Sequence, residues 1–145
     1  MQFVTRFLPS FFVSWLLTFT LASLFHSQYV VNQLVNVGVV VKFNDRLNLT
    51  LDDWLGLLPT YGSIIAIAFL IAFPLAGLAL KKLPTQRTAL FALAGFFAFI
   101  TVLTIIESIM NIHIIAGARG WGFYAQLFAG TIGGYVFAQM SRSTR

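Results

Sequence analysis

Of the four acidic residues in the chain, only Glu107 lies inside a long apolar run. An ionisable side chain in such a run is costly and marks a pairing partner, a proton site or a pathway. On a helix, Thr101, Thr104, Glu107, Ser108 and Asn111 fall within about 120° of one another, so this run has one polar face. That face is expected to turn into a helical bundle. The groups able to meet it at the same depth are His26, His113 and Arg119. Three chemistries suit the set. In the one the residues favour, Glu107 pairs with Arg119 or bonds a histidine and so fixes the segment from Asn111 to Gly120. In the second, Glu107 is a proton or cation site lined by Thr101, Thr104 and Ser108, with Gln126 joining from the next run. In the third, His26, His113 and Glu107 bind zinc, but the helical His-x-x-x-His spacing is missing. No metal and no cofactor is therefore expected.

Arg119 sits among Gly117, Gly120 and Gly122, just before Trp121. The glycines allow a tight turn. The arginine suits either neutralisation of Glu107 or an anionic headgroup at a helix N-terminus. No serine–histidine–acid set, thiol, metal motif or phosphate loop is present, so no catalytic residue is assigned. A lipid-processing enzyme using Glu107, His113 and Arg119 ranks behind both a non-catalytic role and transport.

The elements that must position these groups follow from composition. The 145 residues are 59% hydrophobic, 16% aromatic and only 9% charged, against roughly 25% charged in soluble domains. Such a chain belongs in a bilayer. Phe7–Phe25, Tyr61–Leu80, Thr88–Met110 and Trp121–Met140 each reach the ~20 residues that cross a hydrocarbon core. Phe7–Phe25 is longer than the ~7–15 residue apolar core of a secretory signal, and Ala22-Ser23-Leu24 is a poor cleavage site, so it reads as a span. The absence of cysteine excludes thiol redox chemistry and a disulfide scaffold.

The net charge of +5 is less informative than where the charges fall. Arg6, Lys81, Lys82, Arg87, Arg142 and Arg145 occupy one side with no acid among them. Lys42, Arg46 and Arg119 are balanced on the other by Asp45, Asp52 and Asp53. The positive-inside rule then puts both termini and the 81–87 turn in the cytoplasm. Without a basic helix or a stacking motif, no nucleic acid is expected as partner. The lipid bilayer is, with another membrane protein or a second copy as further candidates.

Between the first two spans, Val37–Phe43 and Leu47–Leu51 read as two strands. Asn44-Asp45-Arg46 is the turn between them, and Leu47, Leu49 and Leu51 alternate with Asn48 and Thr50. Ser27–Asn36 continues the first helix or lies at the interface. A short interfacial helix begins near Thr50 or Asp52, carries Trp54 and ends at Pro59. Pro74 bends the second span. Gly130, Gly134 and Ala138 form a small-residue face for helix packing.

A β-rich outer segment between the first two spans is similar to the layout of claudin-like proteins, whose paired cysteines the chain lacks. Small multidrug-resistance transporters carry a carboxylate in the first span, and Phe7–Phe25 has none. The residues place the chain in neither family.

The fold class expected is an all-α integral membrane protein, a four-transmembrane-helix bundle with N-in/C-in topology. An outer β-hairpin and a short interfacial helix lie between helices 1 and 2. Residues 1–145 form one membrane domain, with residues 26–60 as its outer cap. The function expected is that of a small structural, accessory or interaction subunit of the cytoplasmic (inner) membrane. The alternative is an ion- or proton-coupled transporter using Glu107.

Overall fold

A computed structural model describes residues 2–110 and 119–142. The chain forms five α-helices: α1 (Gln2–Asn36), α2 (Phe43–Leu57), α3 (Ser63–Leu80), α4 (Arg87–Met110) and α5 (Trp121–Met140). No strand is present among the described residues.

The expected β-hairpin is therefore wrong, and the outer cap is a helical hairpin instead. α1 runs 35 residues, about 52 Å at 1.5 Å per residue, well past the ~30 Å of a hydrocarbon core. It ends at Gly38, whose φ of +88° is open to glycine at little cost. The Gly38 and Val39 amides return to the carbonyls of Val35 and Leu34 at 3.0 Å each, a glycine stop that satisfies two end carbonyls. Asn44-Asp45-Arg46 is not a turn but the first turn of α2. There the Lys42 amide donates to the Asp45 carboxylate at 3.3 Å, and the acid lies where the helix dipole favours it. The helix thus begins at Phe43 rather than near Thr50 or Asp52.

Its half-buried residues are Arg46, Leu49, Thr50, Asp53, Trp54 and Leu57, a helical spacing. Phe43, Leu47, Leu51 and Leu55 form a second stripe left exposed. The alternation of Leu47, Leu49 and Leu51 that suggests a strand comes from sampling both stripes at once.

Pro59 does not end this helix. A single π-helical turn, Leu58–Gly62, joins α2 to α3 with helical dihedrals on both sides. The Ser63 hydroxyl donates to the Pro59 carbonyl at 2.7 Å and the Trp15 indole to the Gly62 carbonyl at 2.7 Å.

Among the described residues, three helical stretches are long and apolar enough to cross a membrane, Val4–Asn36, Phe43–Leu80 and Pro84–Ile109, against the four spans expected. α5 has the length but carries four glycines and two glutamines. It packs closely between α1 and α4, while α3 packs on the far side of α4 and barely touches α1. The helices are thus neighbours in the order α1, α5, α4, α3. Phe69 and Phe73 of α3 fill the interior with Phe91 and Phe99 of α4, Phe137 of α5 and Phe19 of α1.

At the α4/α5 seam the backbones themselves meet. A methyl group on Gly95 would strike the Gly130 carbonyl, and one on Gly134 would strike the Phe91 carbonyl. With no hydrophobic drive between helices in lipid, this close approach supplies the dispersion contact that holds them. The partner of Gly130 and Gly134 is thus a helix of the same chain. Arg6 reaches the Arg142 carbonyl at 3.4 Å, so the two ends of the described chain lie at one end of the bundle.

Candidate functional site

The polar face of α4 looks the other way from expectation. Thr101, Thr104, Glu107 and Ser108 are exposed, whereas Val102 and Leu103 are buried. Helical phase says which residues share a face, not whether that face meets the bundle or its surroundings. Glu107 therefore does not share an interior with Gln126, nor with His26, which is buried on α1 against α2. Arg119 is exposed just before α5. His113 and Asn111 lie outside the described residues. No group of three histidine or acidic side chains suited to a metal occurs among the described residues.

The interior carries a different set of polar groups. Gln126 is fully buried, accepting the Tyr61 hydroxyl at 2.9 Å and donating to the Ala22 carbonyl at 2.9 Å. One amide thus ties α5 to α1 and to the turn preceding α3. Ser10, Ser14, Thr18 and His26 lie at intervals of four or eight along α1 and are all buried. Ser14 donates to the Gly133 carbonyl on α5 at 2.6 Å. The signal for this face was present as hydroxyls four residues apart in a phenylalanine-rich span, the small-residue spacing that lets helices approach.

Toward the outer hairpin, Ser27 donates to the Asp53 carboxylate at 2.7 Å, and the Trp54 indole donates to Thr20 at 3.1 Å. Asp53 also acts electrostatically on His26. The Ser27 hydroxyl thus lies between the Asp53 carboxylate and the Ser23 carbonyl, 3.0 Å away, and clasps α1 to α2. The Ser23 hydroxyl is buried beside them without a hydrogen-bond partner among the described residues.

The opposite end of the bundle holds a cavity of about 590 Å³. Arg6, Lys81 and Arg87 line its mouth, and Phe73, Phe91 and Phe137 its interior. Phe73 and Phe137 stack with centroids 4.3 Å apart, while Phe91 meets Phe73 edge-on at 5.9 Å and Phe137 at a tilt at 5.1 Å. Arg87 is held in place by the Ala138 carbonyl at 3.3 Å and the Ser141 hydroxyl at 2.5 Å, with its guanidinium 5.1 Å from the Phe91 ring centre. The cluster of cations was legible as charge at one side of the spans. That they border one apolar cavity follows only from the packing, in which α1 and α3 touch little.

Among protein-family models, curated proteins and solved structures, none matches the chain.

Proposed function

We propose that the chain is a non-catalytic accessory subunit of a membrane assembly, and that the outward face of α4 is where its partner packs. The observation that carries this reading is the exposure of Thr101, Thr104, Glu107 and Ser108 on one side of an otherwise apolar helix. Hydroxyls and a carboxylate are disfavoured against lipid tails and favoured against the polar groups of a second polypeptide. The partner is a membrane protein whose packing surface offers polar groups along the line of Thr104 and Ser108. The basic end, with Arg6, Lys81, Lys82 and Arg87, would then face the cytoplasm, with the helical hairpin outside.

The alternative, proton- or cation-coupled transport by Glu107, has to run along that same interface rather than through the bundle. A single cysteine decides the matter, because the chain has none of its own. Thr104→Cys, alkylated with a benzophenone maleimide and irradiated in native membranes, is expected to crosslink by C–H insertion to a heavier species that Glu107→Leu abolishes. A product of twice the chain mass would replace the partner by a second copy, and no product would overturn the reading. Loss of ion flux with Glu107→Gln while the crosslink survives would favour transport.

A further inference from the structure

We infer that the cavity at the basic end binds an anionic lipid, its phosphate held among Arg6, Lys81 and Arg87 and its acyl tail lying on Phe73, Phe91 and Phe137. The inference does not rest on the accessory reading, since it concerns the other end of the molecule.

Charge selects the headgroup. The lining contains three cations and no acid, so a neutral or cationic ligand gains nothing there, while a phosphate can take charge-assisted bonds. Arg87 commits its Nε and Nη2 to Ala138 and Ser141. A guanidinium has five N–H donors, so others remain for a ligand, and the two bonds already made hold the fork in place before anything arrives. Arg6 is tied in the same way through the Arg142 carbonyl.

Depth selects the tail. Lys81 follows α3 directly, Arg6 lies near the start of α1 and Arg87 opens α4, so all three cations stand at the ends of membrane-crossing stretches, at headgroup level. Phe73 is eight residues before Lys81 on α3, about 12 Å deeper along the axis. The rings there would meet methylenes, not phosphate. The volume lies within the roughly 300–1,000 Å³ of small-molecule sites, more than a bare phosphate fills.

The helix itself makes the space. Gly77 lines the cavity, and a methyl group added to it would meet nothing within 4 Å. α1 and α3 are the adjacent helices that touch least, so the gap between them is the natural entry for a chain arriving from the bilayer.

The test uses purified full-length protein in neutral phosphatidylcholine nanodiscs, titrated with lysophosphatidic acid, lysophosphatidylcholine or inorganic phosphate and read by thermal stability and native mass spectrometry. Lysophosphatidic acid is expected to stay bound and raise the melting temperature, with lysophosphatidylcholine and inorganic phosphate at least tenfold weaker. Lys81→Gln and Arg6→Gln should each weaken it about fivefold, in keeping with about 1 kcal/mol per cation at an anionic surface, while Lys42→Gln at the other end leaves it unchanged. Gly77→Leu should fold normally and lose binding by filling the cavity. Equal binding of lysophosphatidylcholine would overturn the headgroup assignment, and equal binding of phosphate the tail. A folded Gly77→Leu protein that still binds would overturn the site itself.

Discussion

Two helix seams of the bundle are built on opposite terms. Between α4 and α5, glycines at 95, 130 and 134 bring backbone against backbone, and no methyl group fits. Between α1 and α3, phenylalanine rings such as Phe11 and Phe73, 6.4 Å apart, span the gap, and the basic end of that seam stays open enough for a cavity of about 590 Å³. Small residues exclude ligands because they let the helices close. Large ones create room because rings fill a wide gap incompletely. A seam of glycines is accordingly a place of strength, and a seam of aromatics a place of occupancy.

The sharpest way to break this contrast is to put bulk where there is no room. Gly134→Leu drives a side chain into the Phe91 carbonyl and is expected to eliminate the monodisperse folded species on size-exclusion chromatography, since overpacking a closed core costs about 1–3 kcal/mol or more. Next comes Gln126→Leu, which leaves the Tyr61 hydroxyl and the Ala22 carbonyl without their partner. At about 1–2 kcal/mol for an interhelical hydrogen bond in a membrane, a clear fall in melting temperature is expected with the fold retained. The smallest effect belongs to the open seam. Gly77→Ala has space around it and trades glycine for the better helix former, so the melting temperature should hold or rise, by no more than the ~1 kcal/mol of that exchange. A loss comparable with that of Gly134→Leu would show that the two seams do not differ as described.

How much of this could be read from the residues alone depends on what each signal measures. Apolar length located α3, α4 and α5 closely, with α5 at the expected 121–140 and α4 one residue longer than the expected 88–110, but it gave only the middle of α1, expected at 7–25 and found at Gln2–Asn36. Length alone counts α5 as a span like the others, but its glutamines and glycines lower its apolarity and are accommodated because nearly half of the helix is buried against its neighbours.

The outer segment reads as strands because Val37, Val39, Val40 and Val41 carry strand propensity, a weak term that tertiary packing overrides, and because Leu47, Leu49 and Leu51 alternate with polar residues. The available surface of an overlong α1 supplied that packing. The polar stripe of α4 was legible as a stripe and not as a direction. In lipid, both the inside and the outside of a bundle are apolar, so amphipathicity loses the compass it has in water. Gln126 was legible as a polar residue in a span, but its bond to Tyr61 joins residues 65 positions apart, beyond any local pattern.

The wide turn at Leu58–Gly62 sets the phase of everything before it. One extra residue in a helical turn rotates the preceding segment by about 100°. Continued without it, the line of Ile65, Phe69 and Phe73 would run back through Leu58, Leu51 and Leu47, presenting leucines to α1. With it, Arg46, Thr50 and Asp53 come round instead, and Asp53 meets Ser27. A single residue of pitch therefore converts what would be an all-leucine zipper into a partly polar one and leaves Leu47, Leu51 and Leu55 on the outer surface of the arm.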